Sequence, residues 1–418
     1  MSKKVVILGA GVIGLATAYY CAARGFKVTV IDHREADAKG TSHGNAGMIV
    51  PSHFIPLAAP GMVSLGLKWM WNPASPFYIK PRLDADLLAW GYKFWRSANA
   101  GHVRQAGPLL RDLALASRLA FEELATASGD DFGLVKKGLL MLCQTQHGLD
   151  EEAKTAEQAR ALGIPAEVLD TRATSRLDPG ATLQVAGSIY FPKDCHFTPA
   201  DFMTSLRRRC EAAGVTLIWE RKVVEFRREK QRIAGVQLIN GCEISADELV
   251  ICSGSWTPEL VKTLGWSLPM QAGKGYSLTL PQPRQLPQLC TILTEARVAV
   301  TPMGGTLRVG GTMEISGLDE SINPVRVRGI IESFCRYYPA FTPADFGGIQ
   351  PWAGLRPCSP DGLPYVGRTR RFENLSLATG HAMMGMTLAP VTGQIMASLL
   401  AGEKPAYDLT LLSPDRHG

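Results

Sequence analysis

The sequence predicts an α/β fold in which two domains are interleaved along the chain, and three observations lead to this prediction. A buried strand over Lys4–Leu8 runs through glycines into a helix and then into a second apolar strand, Lys27–Asp32. Residues 270–315 instead alternate as antiparallel strands do. Strands and helices recur between these regions without a low-complexity linker. The polypeptide is therefore expected to pass repeatedly from one domain to the other. A length of 418 residues is enough for roughly two or three hydrophobic cores.

Further elements follow from local patterns. The predicted helices are residues 108–127, 151–163, 199–213 and 385–400. Asn240-Gly241 separates two apolar segments, 232–239 and 242–244, and therefore predicts a tight hairpin.

Composition and charge exclude several classes of protein. Hydrophobic residues make up 46% of the chain and charged residues 20%, which is typical of a folded globular protein. The net charge of +6 is mild and Arg207-Arg208-Arg209 is the nearest approach to a basic arm, so we expect no nucleic-acid partner. The nine cysteines contain no CxxC spacing, which argues against a zinc or dithiol motif and fits a reducing compartment. Without a signal-peptide pattern or a run of about 18 apolar residues, a cytoplasmic location is expected.

The glycine pattern Gly9-x-Gly11-x-x-Gly14 follows the first strand and opens the first helix. Gly9 would make the tight turn, Gly11 would let the backbone approach a pyrophosphate, and Gly14 would let helix and strand pack closely. The helix N-terminus offers free N–H groups to phosphate. Asp32 ends the second strand, where a carboxylate accepts hydrogen bonds from a ribose 2′-hydroxyl and repels the 2′-phosphate of NADP. These residues predict a dinucleotide site without distinguishing FAD from NAD.

Further segments, in order along nearly the whole chain, resemble the FAD-dependent D-amino-acid dehydrogenases of the D-amino-acid oxidase superfamily. This superfamily also includes glycine oxidase and sarcosine oxidase. The segments that carry the resemblance are residues 41–48 (TSHGNAGM), 58–61 (AAPG), 68–70 (KWM), 90–95, 274–279 (KGYSLT), 309–314 (VGGTME), 354–357 (GLRP), 361–364 (DGLP) and 380–381 (GH), followed by Gly385.

The resemblance implies two domains: a glutathione-reductase-type FAD-binding Rossmann domain and a substrate domain built on an antiparallel sheet. The FAD-binding domain would comprise residues 1–55, 190–268 and 350–418. The substrate domain would comprise residues 56–189 and 269–349.

The resemblance also places residues at the cofactor. Ser42 and Asn45 would lie near the isoalloxazine ring or the phosphates, although an asparagine in such a loop also forms turns. The N–H groups that open the last helix would point at the flavin C2 carbonyl. FAD is expected to be non-covalent, because Cys358 is offset from the position near Gly354 where sarcosine-oxidase-type enzymes tether flavin. The implied cofactor residues are Ser42, Asn45, Ala46, Gly47, Met48, Val223, Gly254, Trp256, Gly354, Gly380, Gly385, Met386 and Thr387.

Four residues are candidates for contact with substrate. Arg356 matches the superfamily arginine that grips the substrate carboxylate, for which a planar guanidinium offers two parallel hydrogen bonds. Tyr276 is expected to face the same pocket and reach the other carboxylate oxygen, with a core tyrosine as the alternative. His381 and His53 complete the set, although a lone histidine is more often structural.

The implied reaction is oxidation of a D-amino acid to a 2-oxo acid by hydride transfer from Cα to flavin N5. The apolar turn Ala382-Met383-Met384 and His196 leave open a D-proline or 4-hydroxy-D-proline dehydrogenase. An oxygen-using amino-acid oxidase is a further alternative. An NAD-dependent dehydrogenase would need a second nucleotide motif, and a flavin-binding partner protein without catalysis would show no turnover.

Residues 54–95 suggest a membrane contact. They hold Trp69, Trp71, Trp90 and Trp95 together with several other aromatic residues. Tryptophan and tyrosine favour the membrane–water boundary, and the net charge would favour anionic lipid. The sequence therefore predicts peripheral association with the inner face of the cell membrane and a quinone or other respiratory acceptor, with an aromatic-rich core as the alternative.

Overall fold

The computed structural model describes residues 2–70, 75–82, 84–127, 129 and 131–417. The helices are α1 (Val12–Ala23), α2 (Met62–Met70), α3 (Ala85–Ser97), α4 (Ala100–Ala127), α5 (Gln146–Ala161), α6 (Thr171–Leu177), α7 (Pro199–Ala212), α8 (Thr257–Thr263), α9 (Pro324–Tyr337) and α10 (Gly385–Leu400). The strands are β1 (Lys4–Leu8), β2 (Lys27–Ile31), β3 (Met48–Ile49), β4 (Phe77–Ile79), β5 (Leu139–Cys143), β6 (Glu167–Asp170), β7 (Gly187–Phe191), β8 (Cys195–His196), β9 (Thr216–Ile218), β10 (Val223–Glu229), β11 (Arg232–Leu238), β12 (Glu243–Ser245), β13 (Glu248–Ile251), β14 (Gln271–Leu280), β15 (Cys290–Leu293), β16 (Val298–Met303), β17 (Thr306–Ile315), β18 (Trp352–Cys358), β19 (Tyr365–Arg368) and β20 (Leu375–Thr379).

The first sheet has the strand order β19-β20-β13-β1-β2-β9. Its strands are parallel except β19, which runs antiparallel to β20. β1 is covered on both faces, because Val5 and Ile7 belong to one hydrophobic cluster and Val6 and Leu8 to another. α1 and α10 pack on the first of these faces. The strand–turn–helix–strand unit predicted near the N-terminus is confirmed.

The second sheet has the order β18-β14-β17-β16-β15-β5-β7-β6, with β4 paired to β17. The antiparallel strands predicted within residues 270–315 are confirmed as β14, β16 and β17. α9 covers one face of this sheet, where Phe334 and Tyr337 share a cluster with Tyr276 and Leu278. The strands β10, β11 and β12 form a separate three-stranded sheet. Asn240-Gly241 forms its predicted hairpin turn.

One strand spans a predicted domain boundary, and a second strand and a helix pair or pack outside the domain predicted for them. β7 contains the boundary placed between residues 189 and 190, and it pairs within the second sheet. β18 also belongs to that sheet, although residues 350–418 are predicted to lie in the other domain. α4 packs with α10 in the core of the first domain. Partners distant in sequence decide where such segments pair and pack, and local patterns do not encode those partners.

Helix boundaries follow the predictions closely at α7 and α10 and less closely elsewhere. α4 begins at Ala100 and continues through Pro108, where the prediction began. α5 begins at Gln146, after Thr145 caps it by accepting from the N–H of Gly148. Residues 382–400 are long and apolar enough to cross a membrane, but 67% of that stretch is buried inside the fold, as in a core helix.

Candidate active site

A cavity of about 1360 Å³ runs from the carboxyl ends of β1 and β2 to the face of the second sheet opposite α9. This volume exceeds the range of about 300–1,000 Å³ typical of small-ligand sites, so a dinucleotide and a substrate can share it. Three predicted glycines, Gly14, Gly47 and Gly380, lie behind its wall. The predicted residues that line it are Gly9, Gly11, Asp32, Ser42, Asn45, Ala46, Met48, His53, Val223, Gly254, Trp256, Tyr276, Gly354, Arg356, His381, Gly385, Met386 and Thr387.

The turn between β1 and α1 requires two of its glycines for packing. Gly9 has φ +107°, and an added Cβ would lie 2.6 Å from the carbonyl oxygen of Cys252. A Cβ on Gly14 would lie 1.8 Å from the carbonyl oxygen of Gly9. These contacts match the tight turn and the close helix packing predicted for the two residues.

Gly11 differs, because the protein leaves space beside it. A Cβ there would meet only the hydroxyl of Ser42, at 3.6 Å. The same hydroxyl accepts a hydrogen bond from the backbone N–H of Val12 at 3.0 Å. The helix N-terminus therefore faces open cavity at Gly11, as a bound diphosphate requires.

Asp32 is held in place by two backbone N–H groups. Its Oδ2 accepts from Ala10 at 2.6 Å and its Oδ1 from Arg34 at 2.9 Å. Each carboxylate oxygen retains a second lone pair for a ribose hydroxyl. Beyond it, the guanidinium of Arg34 lies 4.7 Å over the ring of Trp256 at the same end of the cavity as Val223.

Residues 41–48 cross the middle of the cavity wall. The side chain of Asn45 accepts from the backbone N–H of Gly47 at 2.9 Å, so it forms the turn that was its alternative role. Arg308, which the sequence reasoning missed, donates from one Nη1 to the carbonyls of His43 and Asn45 at 3.1 and 2.8 Å. Burial lowers the pKa of Arg308 to about 10. A half-buried, charged guanidinium therefore fixes this loop.

The N-terminus of α10 reaches the cavity beside that loop. Gly385, Met386 and Thr387 line it, and Thr387 donates its hydroxyl hydrogen to the carbonyl of Met48 at 3.0 Å. The positive end of the helix dipole therefore faces the position expected for the polar edge of a flavin ring.

Gly354 makes room for an aromatic side chain that the sequence reasoning missed. A Cβ on Gly354 would lie 2.0 Å from the Trp352 ring, and a Cβ on Gly44 would lie 2.3 Å from the same ring. Trp352 donates its indole N–H to the carbonyl of Lys39 at 2.7 Å. These contacts give both glycines a packing role around Trp352.

Arg356 extends from β18 toward the cavity. Its Nη1 donates to the carbonyl of Thr312 at 2.7 Å, and no carboxylate in the described ranges lies within ion-pair distance. Burial lowers the pKa of Arg356, yet a guanidinium remains charged in proteins. A Cβ on Gly275 would lie 2.2 Å from Nη1, so this glycine opens the space that the guanidinium fills. The remaining donors are available to an anionic ligand.

Thr312, which anchors Arg356, has a strained backbone. Its φ is +64°, which is a marked outlier for a β-branched residue. Such strain concentrates at functional sites, where the surrounding fold holds it. Thr312 therefore joins the site as the residue that sets the orientation of Arg356.

Tyr276 lines the cavity, but its hydroxyl is directed away from Arg356. In the pairing of β14 with β18, Gly273 and Gly275 stand opposite Arg356 and Gly354, whereas Tyr276 stands opposite Ala353. Side chains alternate between the faces of a strand, so Tyr276 points to the face opposite Arg356. Its hydroxyl donates to Glu314 at 2.8 Å, in the core beneath α9. The alternative of a core tyrosine describes this contact.

The two histidine candidates differ in their surroundings. The His381 ring bonds through Nε2 to the hydroxyl of Thr392 at 3.1 Å within the core, and burial lowers its pKa to about 3. His53 lines the cavity, and burial followed by the charge of Arg297 lowers its pKa to about 4. Both imidazoles are therefore neutral at physiological pH.

The sequence matches the family described as FAD dependent oxidoreductase over residues 4–399. The chain belongs to this family. The glycine turn, the cradle at Gly11 and the length of the cavity fit its cofactor, so the chain is an FAD-dependent oxidoreductase of α/β fold.

Among relatives, a D-amino acid dehydrogenase of Allorhizobium ampelinum is 34% identical over 419 residues, covering 99% of this chain and 98% of the relative. One of Rhizobium rhizogenes is 35% identical over 422 residues, covering 99% and 100%. Glycine oxidase from Geobacillus kaustophilus is similar in structure, with a TM-score of 0.78, 25% identity and 100% of both chains covered.

Proposed function

We propose that this chain oxidises D-amino acids to 2-oxo acids with a non-covalently bound FAD and passes the electrons to a separate acceptor. The observation that carries the proposal is Arg356, a charged guanidinium on the cavity wall without a carboxylate partner in the described part of the chain. The names of the relatives support the substrate class, since two of them are D-amino acid dehydrogenases.

The chain positions the substrate, and the cofactor supplies the redox chemistry. When bound, the flavin accepts the hydrogen and two electrons that leave the substrate Cα. Arg356 holds the substrate carboxylate, and Thr312 holds Arg356. The apolar turn over residues 382–384 borders the same cavity and favours a hydrocarbon or ring as the side chain. Positioning of this kind accounts for much of the catalysis in such a reaction.

A dehydrogenase for D-proline or 4-hydroxy-D-proline is the second candidate. The turn over residues 382–384 lines the cavity and suits an apolar ring. His196 does not add support, because it lies 2% exposed in the pairing of β8 with β3 and outside the cavity wall. An L-proline dehydrogenase from P. horikoshii has a TM-score of 0.74 at 17% identity, which is a similarity of fold.

A panel of D-amino acids with a dye acceptor tests both candidates. We expect turnover with D-amino acids that carry apolar side chains, release of ammonia, and little turnover with their L-enantiomers. A preference for D-proline without ammonia release would favour the second candidate. Failure of every amino acid to bleach the flavin absorbance would contradict both.

For the electron acceptor, we propose a quinone in an anionic membrane that the helix α3 contacts. The exposed fractions of Leu88, Tyr92 and Trp95 are 67%, 58% and 62%. Their spacing places them on one side of the helix, and Arg96 in its last turn adds positive charge. Membrane-surface helices combine apolar, aromatic and basic residues in this way.

The aromatic residues of this region divide between core and surface. Trp90 is 3% exposed, stacks on Phe94 and donates its indole N–H to the carbonyl of Cys358, so it belongs to the core. Trp71 and the side chain of Trp69 lie outside the described residues. α2 begins at Met62 on the cavity wall, and its residues Val63 and Ser64 line a small cleft with Trp95. This continuity supports a route between the exposed face of α3 and the flavin site.

The membrane contact is tested by co-sedimentation with liposomes that contain anionic lipid at low salt. We expect the protein to sediment with them and the variant Leu88→Ser/Tyr92→Ser/Trp95→Ser to stay in the supernatant. Leu119→Ser on α4, equally an exposed leucine at 58%, is the matched control and should sediment. Reoxidation of substrate-reduced enzyme by air as fast as by a soluble quinone would make it an oxidase.

A further inference from the structure

A chain of three hydrogen-bonded side chains leads from the cavity wall into the core. His53 lines the cavity, and its Nδ1 lies 3.0 Å from the hydroxyl oxygen of Ser52. That hydroxyl donates to Oδ2 of Asp194, and the backbone N–H of Ser52 donates to Oδ1 at 3.1 Å. The exposed fractions of Ser52 and Asp194 are 7% and 0%. The chain therefore joins a carboxyl group without solvent contact to an imidazole at the ligand cavity.

The direction of these hydrogen bonds fixes the tautomer of His53. While Asp194 is ionised, it engages the single hydrogen of the Ser52 hydroxyl, so the hydroxyl oxygen accepts from Nδ1–H of the ring. Nε2 of the neutral imidazole then carries a lone pair and no hydrogen. His53 can therefore accept a hydrogen bond or a proton on the cavity side.

The surroundings of these three hydrogen-bonded side chains favour a proton on Asp194, the residue farthest from the cavity. Asp194 has no ion-pair partner among residues that the structure describes; the groups facing it are Arg118 of α4, Cys195 beside it and Cys290 of β15. Burial raises the pKa of Asp194 to about 7, whereas His53 titrates far lower. A proton taken up by His53 is therefore more stable on Asp194.

His53 lies near the end of the cavity that holds Arg356. The charge of Arg297 is close enough to His53 to lower the pKa of its imidazole, after the larger effect of burial. The carbonyl oxygen of Arg297 would lie 3.1 Å from a Cβ on Gly311, the residue before Thr312. Glu152 of α5 also lines the cavity; burial raises the pKa of its carboxyl group, and the charge of Arg297 opposes that rise.

We propose that His53 accepts a proton from the substrate ammonium group and that Ser52 relays the charge to Asp194. This inference rests on the proposed amino-acid oxidation. The ammonium N–H bond breaks and a bond to Nε2 forms; the Nδ1 hydrogen passes to the Ser52 oxygen, and the hydroxyl hydrogen passes to Oδ2 of Asp194. The freed amine lone pair would become the C=N bond, and bound FAD would supply the acceptor for the hydride that leaves Cα. When product departs, the proton returns by the reverse path to Nε2 of His53 and from there to water that enters the opened cavity.

The three residues have distinct parts in this relay. His53 is the catalytic residue, because its Nε2 would take the substrate proton. Ser52 also lines the cavity, but its hydroxyl is engaged by Asp194 and by the His53 ring. Ser52 and Asp194 are positioning residues that set its tautomer and receive its proton. The Ser52 hydroxyl lies between the Asp194 carboxylate and the His53 imidazole. It therefore transfers a proton between them and is not available as a nucleophile.

Kinetics across pH test the relay. We expect Ser52→Ala and Asp194→Asn to lower kcat/KM at neutral pH about 100-fold. The acid limb should move to higher pH, because without the relay only substrate that has already lost its ammonium proton reacts. Affinity for a carboxylate inhibitor should stay unchanged, because Arg356 is untouched. Ser376→Ala removes another fully buried hydroxyl, in β20, and should keep the wild-type profile. If the acid limb of kcat/KM lies at the wild-type pH in both Ser52→Ala and Asp194→Asn, the proposal is wrong.

The tautomer gives a second readout that does not depend on turnover. Nitrogen-15 NMR of the labelled holoenzyme at a pH well above 7, where Asp194 is ionised, should show hydrogen on Nδ1, with His53→Gln to assign the signal. In Asp194→Asn the amide N–H faces Ser52, so the hydroxyl donates to the ring and the hydrogen moves to Nε2. Hydrogen on Nε2 in the wild type would refute the relay. A wild-type enzyme without amino-acid turnover but with the expected tautomers would instead refute the proposed function alone.

Discussion

At the scale of single residues, the guanidinium of Arg356 is the group on which substrate binding depends. Arg356→Lys keeps the charge but loses the planar pair of donors. A charge-assisted hydrogen bond is worth about 1.5–3 kcal/mol, so kcat/KM should fall roughly tenfold to a hundredfold. FAD content should remain normal. An unchanged kcat/KM in steady-state assays would remove Arg356 from the carboxylate site.

Gly275 offers a second residue-scale test, because it shapes the site without touching substrate. Alanine there would place its Cβ 2.2 and 2.3 Å from the two terminal nitrogens of Arg356. A flexible side-chain end can move away, so Gly275→Ala should fold, bind FAD and show a KM raised about tenfold or more. Gly91→Ala, with nothing within 4 Å of the new Cβ, is the control and should leave KM unchanged. Equal KM values in the two variants would contradict this account.

At the scale of elements, the segment after β18 is fastened to the C-terminal residues. Arg416 donates to both oxygens of Asp361 at 2.6 and 2.9 Å and lies 4.0 Å over the ring of Tyr365. Burial alone would raise the pKa of Asp361, but the charge and hydrogen bonds of Arg416 hold it well below its usual range. The pair therefore joins β18 and β19 to the end of the chain.

Asp361→Asn should destabilise the protein by about 3–5 kcal/mol at neutral pH, because it leaves Arg416 buried without its partner. A carboxylate whose pKa is lowered by folding adds stability above its unfolded pKa of about 4 and loses it as pH falls. The difference in thermal unfolding midpoint between wild type and variant should therefore shrink below about pH 4. A difference independent of pH would show that the charge of Asp361 contributes little.

Elements also show where sequence patterns stop being informative. The turn at residues 9–14 follows from local rules, and its glycines lie as those rules predict. Tyr276 and Arg356 are on neighbouring strands, and a one-residue difference in register decides whether they share a face. Register between β14 and β18 depends on residues far apart in the sequence. Thr312, Arg308 and Trp352 were missed for the same reason, since each matters through a distant partner.

At the scale of the whole molecule, two sheets with separate hydrophobic clusters line one shared cavity. The chain crosses between them several times, so each sheet contributes walls that no single continuous segment could supply. A ligand that spans this cavity contacts both domains. FAD binding should therefore stabilise the whole fold through its preference for the native state.

The mode of FAD attachment gives the final prediction. Among cysteines in the part of the chain that the structure describes, Cys252 alone lines the cavity, beside Gly9 at the diphosphate end. Cys358 is buried behind the wall, with its thiol directed to the carbonyl of Arg356. A flavin ring needs a nearby thiol for a covalent thioether, so acid precipitation should release all the yellow colour as free FAD. Colour that remains on the precipitate would mean that a cysteine reaches the ring, and Cys358→Ser would then identify which one.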